Sequence, residues 1–146
     1  MSTVRHLLQI KGNDVWAIRP EATVFEALRL MADKDVGALV VLVNDKMVGI
    51  ISERDYARKI ILFGKSSKDT LVREIMSEKV YTIHPDQTVQ ECMALMSSKH
   101  IRHLPVVLED KVIGVVSIGD VVQDIIYQQR EKIKNLEHKL VSGRES

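Results

Sequence analysis

Two rhythms of apolar residues alternate along this chain, and the whole succession occurs twice. A short apolar stretch, Val15-Trp16-Ala17-Ile18, stops at Pro20 and predicts a brief strand, because proline breaks a strand ladder. In Thr23-Val24-Phe25-Glu26 the hydroxyl can cap a helix and the glutamate can reach back to it. Val24, Leu28 and Met31 then keep the three-to-four spacing of one buried helical face. The β-branched runs 39–43 and 47–51 bracket Asn44-Asp45-Lys46 and predict a hairpin, and a second helix starts at Ser52. From Val80 the order returns: Val80-Tyr81-Thr82-Ile83 up to Pro85, a cap at Thr88 with Glu91, a helical face of Val89, Met93 and Met96, a hairpin around Glu109-Asp110-Lys111, and a helix from Ser117.

Residues 15–56 align with 80–121 without a gap, displaced by 65, and roughly 16 of the 42 positions are identical. The identities include Pro20/Pro85, Thr23/Thr88, Glu26/Glu91, Gly49/Gly114, Ser52/Ser117 and Asp55/Asp120. A unit of strand, helix, strand, strand, helix cannot cover its own apolar sheet, so the copies are expected to pack sheet to sheet as one α+β domain with approximate two-fold symmetry. The expected division is repeat 1 at 11–62, repeat 2 at 76–128 and a helical tail at 129–146. Residues 64–69 read as an unremarkable polar linker, followed by a short helical turn at 72–76. In the tail, Val122, Ile126, Ile133, Leu136 and Leu140 lie roughly on one stripe, which either folds back on its own repeat or meets a partner.

Composition narrows the function classes. With 45% hydrophobic and 28% charged residues the chain is ordinary for a globular protein, and a net charge of +1 gives no extended field for a nucleic-acid backbone or an anionic membrane. The single Cys92 falls on a buried helical face, which excludes an intrachain disulfide and fits a reducing compartment. No apolar run approaches the roughly 20 residues of a membrane span, and residues 1–11 lack a signal-peptide pattern. A cytoplasmic protein is expected.

The doubled pattern, with His103-Leu104-Pro105-Val106-Val107 and Gly114-Val115-Val116-Ser117-Ile118-Gly119-Asp120 in one copy and Gly37-Ala38-Leu39-Val40-Val41 and Gly49-Ile50-Ile51-Ser52-Glu53-Arg54-Asp55 in the other, resembles the cystathionine-β-synthase (CBS) domain, which usually occurs in tandem pairs. Val40 departs from the pattern by replacing its proline. The resemblance covers residues 11 to about 126. It implies a regulatory, non-catalytic module whose clefts bind adenosine-containing ligands such as AMP, ADP, ATP, NAD or S-adenosylmethionine, a homodimer, and an effector protein on another chain.

As the resemblance implies, Ser117 and Asp120 face Lys11, Val15, Trp16 and the turn Val36, Gly37 and Ala38. The mirror cleft uses Ser52, Arg54 and Asp55 with Met76, Tyr81 and the turn Ile101, Arg102 and His103. Each aspartate can accept from ribose hydroxyls, and each serine, at a helix start, can donate to phosphate. Ser-x-x-Asp before an apolar run is equally a capping box, and the two roles are compatible. Arg54, Arg102 and His103 offer phosphate partners in the mirror cleft, with Arg102 able to bridge towards either, so at least one cleft should prefer a phosphorylated adenosine. Trp16 either stacks on the base or fills the core between repeats.

Other chemistry is sparse. His84, His100 and His103 lack a carboxylate or cysteine that would complete a metal site. There is no P-loop, dinucleotide-binding glycine fingerprint or nucleophile elbow, so any NAD binding would not be Rossmann-type and no catalytic residue is assigned. The rival to a ligand sensor is a ligand-independent dimerisation module.

Overall fold

The computed structural model of the protein describes residues 2–145, with side chains through Val141. The elements run α1 (Val4–Lys11), β1 (Ala17–Ile18), α2 (Val24–Lys34), β2 (Ala38–Val43), β3 (Lys46–Ser52), α3 (Glu53–Tyr56) continued by a π-helical turn (Ala57–Ile61), α4 (Val72–Ile75), α5 (Val89–Lys99), β4 (His103–Leu108), β5 (Lys111–Ser117) and α6 (Ile118–Glu145). The fold is mixed α+β with two small sheets, β1-β2-β3 and β4-β5.

The repeat is visible in its local devices. Thr23 Oγ1 accepts the Glu26 N–H at 3.1 Å and Thr88 Oγ1 accepts the Glu91 N–H at 3.0 Å, so both long helices start at the anticipated caps. The hairpins turn on Asn44-Asp45 and Glu109-Asp110, all four with positive φ, as a two-residue turn matched to strand twist requires. Lys46 and Lys111, expected in the turns, therefore already belong to the strands. Helices α2 and α5 end on Asp35 and His100, both left-handed, with φ of 53° and 54°.

One expected strand is reduced. In the first copy the Val40 N–H donates to the Trp16 carbonyl at 3.2 Å and β1 pairs in parallel with β2. Pro105 occupies the equivalent of Val40 and has no N–H to give to Tyr81. The second copy keeps only a bridge between Ile83 and Val106.

The apolar residues form two cores, and each borrows a helix from outside its own repeat. Val4, Leu7 and Leu8 of α1 pack with Ile83, Val89, Cys92, Met96, Leu104 and Val121 of the second copy. Val72 and Ile75 of α4 pack with Val24, Met31, Leu39 and Ile51 of the first. The segments before the repeats are joined alike. The Val4 N–H donates to Gln87 O and the Val89 N–H to Ser2 O. In the other half the Val24 N–H donates to Thr70 O at 2.8 Å and the Phe25 N–H to Ser67 O at 2.9 Å. The expected linker 64–69 and the Thr70 that follows it thus do more than connect, because the Ser67 and Thr70 carbonyls satisfy orphan N–H groups at the start of α2.

Helix α6 leaves its core after Ile125. From Ile126 to Val141 every side chain is exposed except the partly buried Glu131, so the tail does not fold back on the repeat. Among the described residues no helix is long and apolar enough to cross a membrane.

Candidate functional site

The sharp starts of α3 and α6 place the repeated aspartates. Ser52 Oγ accepts the Asp55 N–H at 3.3 Å while Asp55 Oδ2 accepts the Ser52 N–H at 2.9 Å. Ser117 and Asp120 repeat the exchange at 3.1 and 2.8 Å. Both pairs are therefore capping boxes, and each also fixes a carboxylate at the mouth of a cleft lined from both repeats.

The two clefts enclose about 420 Å³ each, within the ordinary range of small-molecule sites. One is lined by Gly37, Ile50, Ser52, Glu53, Arg54, Asp55, Arg58, Ser77, Lys79, Val80, Tyr81, His100, Ile101, Arg102 and His103. The other is lined by Lys11, Gly12, Asp14, Trp16, Asp35, Val36, Gly37, Ala38, His103, Val115, Ser117 and Asp120. The first carries three arginines and a lysine against Glu53 and Asp55; the second carries three carboxylates against Lys11 alone. We call them the basic and the acidic cleft.

A family model of the CBS domain matches this chain twice, at residues 7–62 and 72–127. The chain belongs to the CBS-domain family. It is 39% identical over 97% of its length to the mitochondrial CBS domain-containing protein CBSX3 of Arabidopsis thaliana, of which it covers 73%. The crystal structure of the CBS-domain protein NE2398 is 49% identical, with a TM-score of 0.83 over 86% of this chain and 98% of that one. The CBS pair of protein MJ0100, solved in complex with 5′-methylthioadenosine and S-adenosyl-L-methionine, is 25% identical, with a TM-score of 0.76 over 85% of this chain and 99% of that one.

Within this CBS pair the structure gathers most of the anticipated residues. Lys11, Trp16, Val36, Gly37, Ala38, Ser117 and Asp120 meet in the acidic cleft, and Ser52, Arg54, Asp55, Tyr81, Ile101, Arg102 and His103 in the basic one. Val15 and Met76 are set apart. Val15 lines neither cleft. The Met76 side chain lies over Gly49, where a Cβ would come within 2.7 Å of its Sδ.

Arg58, Lys79 and His100 in the basic cleft and Asp14 and Asp35 in the acidic one escaped the motif reading. The register of the repeat contains most of the contrast: a displacement of 65 pairs Asp14 with Lys79, Asp35 with His100, Gly37 with Arg102 and Gly119 with Arg54.

The ion pairs differ accordingly. Lys11 Nζ donates to Asp120 Oδ2 and to the Val115 carbonyl, both at 2.6 Å. Burial acts to raise the Asp120 pKa, but the Lys11 hydrogen bond and the Ser117 N–H outweigh it and hold the carboxyl below its usual range. In the basic cleft Asp55 is 3.4 Å from Lys59 Nζ, and Arg54 Nη1 donates to the His100 carbonyl at 3.0 Å, tying one repeat to the other. The apolar floors are aromatic. Lys34 Nζ sits 4.4 Å from the centre of the Trp16 ring, and Lys79 and Lys99 approach Tyr81 at 5.6 and 5.2 Å.

His103 and Gly37 belong to both clefts. A Cβ on Gly37 would lie 3.1 Å from His103 Nε2, so the absence of a side chain lets the imidazole form the partition. Burial lowers the His103 pKa, with Lys11 and Arg102 adding to that effect and Asp120 opposing it. Near neutral pH His103 is thus an uncharged wall, and the positive charge of the basic cleft rests on the arginines and Lys79. Cys92 lies in the second core, where burial, with Asp120 behind it, pushes the thiol up to about 12.

Proposed function

We propose that this CBS pair is a regulatory sensor of adenosine-containing ligands, that its clefts carry out no chemistry, and that the two clefts select different members of that class. The carrying observation is the contrast between two repeat-related clefts, each with a capped aspartate and an aromatic floor, of which only one is basic. The aspartates suit the paired hydroxyls of a ribose, and Tyr81 and Trp16 the base. In the basic cleft Arg54, Arg58, Lys79 and Arg102 suit the phosphates of AMP, ADP, ATP or NAD. In the acidic cleft Asp14, Asp35 and Asp120 repel phosphate, which leaves adenosine derivatives with an uncharged or cationic 5′ group. Both ligands seen with the CBS pair of MJ0100 lack phosphate. Occupancy of either cleft would bias the packing of the repeats, and through it self-association or a partner protein.

Calorimetric titration with AMP, ATP, NAD, 5′-methylthioadenosine, S-adenosylmethionine and GMP tests the reading. Asp55→Ala should weaken the phosphorylated ligands and Asp120→Ala the others. Absence of heat and of thermal stabilisation with every adenosine compound would favour the ligand-independent dimerisation module.

A further inference from the structure

We propose that Lys11 is a latch on the acidic cleft: its ammonium group holds the place of a ligand hydroxyl on Asp120, and an adenosine-type ligand enters only by displacing it. This rests on the ligand reading of that cleft and adds a control that the basic cleft lacks.

Lys11 Nζ lies 2.6 Å from both Asp120 Oδ2 and the Val115 carbonyl oxygen, and all three residues line the acidic cleft. A group between those two acceptors must be a donor, and a ribose hydroxyl meets the same demand. Asp120 Oδ2 already accepts the Ser117 N–H at 2.8 Å, so ammonium and ligand compete for the remaining capacity of that oxygen. The Lys11 and Asp120 side chains are 32% and 21% exposed, which leaves the pair within reach of an entering ligand.

The matched positions of the other half explain why only this cleft is latched. A displacement of 65 pairs Lys11 with Met76, Gly12 with Ser77 and Val115 with Ile50. There the lead segment closes on its strand by backbone alone: the Ile50 carbonyl accepts the Ser77 N–H at 2.9 Å and the Ser77 carbonyl accepts the Ile50 N–H at 3.0 Å. Met76 lies over Gly49, and Asp55 Oδ2 takes its hydrogen bonds from the N–H and hydroxyl of Ser52. Lys59, 3.4 Å from the other Asp55 oxygen, does not line the cleft. In the acidic half Gly12, with φ of 100°, gives its N–H to the Leu8 carbonyl and ends α1. Lys11 Nζ thus supplies the Val115 carbonyl with the donor that the Ser77 N–H supplies to Ile50. A backbone bridge is fixed by the fold, whereas a lysine head leaves by rotation of its flexible four-carbon stem. Ligand entry at this cleft alone unties the last residue of α1 from the second repeat.

The test uses the full chain carrying Asp55→Ala, so that the acidic cleft alone reports, with 5′-methylthioadenosine as the probe. Lysine acetylation read by mass spectrometry should label Lys11 more slowly than the exposed Lys46 and Lys111 in the free protein. Saturating probe should speed the labelling of Lys11 several-fold and leave those two references unchanged. In calorimetry Lys11→Met, which installs the residue of the matched position, should bind the probe about fivefold tighter. With Asp55 intact, the AMP affinity of the basic cleft should not respond to Lys11→Met. Slower or unchanged labelling of Lys11 with the probe bound, or equal or weaker binding after Lys11→Met, would overturn the latch and leave the ligand reading in place. Silence of the probe with both forms would remove the latch, and silence of AMP as well would remove the ligand reading with it. The labelling needs no substitution at Lys11, so it decides the matter even if Lys11→Met does not fold.

Discussion

His103 is the residue on which the two clefts meet, and its titration gives a signed prediction. Burial lowers its folded pKa from the ordinary 6.5, so the unfolded chain takes up the proton first as pH falls. Stability contributed by the neutral imidazole is complete above that ordinary value and is lost as pH drops toward the lowered folded pKa. His103→Gln should therefore flatten the fall in unfolding free energy measured by urea titration below neutral pH, down to the acid range where carboxylates such as Asp120 add their own loss. If the basic cleft takes phosphate as proposed, Arg102→Ala should weaken AMP more than adenosine; equal loss for both would assign the guanidinium to the base or the fold. The aspartates, serines and Arg102 stand out in the sequence because motif and repeat coincide there. Arg58, Lys79, Asp14 and Asp35 do not, since a charged residue in a loop reads as solvated surface until the fold brings it to a cleft.

Among the elements, capped helices and hairpins were legible because each has a short-range cause: a threonine hydroxyl, a pair of positive-φ turn residues, an alternation of side chains. The shortening of the second copy's first strand also has a local cause in Pro105, but it is recognised only once Val40 is seen donating to Trp16. Helix α1 was not foreseen, because its reason to exist is tertiary. Leu8 lies in the space over Gly114, where a Cβ would approach it to 2.8 Å. Leu7→Ala removes a side chain only 3% exposed and should cost about 2–5 kcal/mol in urea unfolding. His100→Gly should instead stabilise by up to about 1 kcal/mol, because His100 holds a left-handed conformation that glycine adopts freely. Thermal unfolding of that variant without ligand reads the gain.

For the whole molecule, the doubling of the pattern was enough to establish two packed repeats, while the inequality of their clefts emerged only from what each lining residue faces. Because Gly37 and His103 wall both clefts, a ligand that displaces the imidazole from one side alters the other. Titrating 5′-methylthioadenosine with and without saturating AMP should give different affinities, and His103→Ala should reduce the difference. The exchange of lead helices has a consequence of another kind. Helix α1 is synthesised before the second repeat, yet the core that houses it is completed only when Val121 has been added. On the ribosome this helix must therefore wait, with Val4, Leu7 and Leu8 uncovered, until the second repeat has emerged through Val121. Nascent chains halted before that point should be cut by protease within α1, and chains in which Val121 has emerged should not.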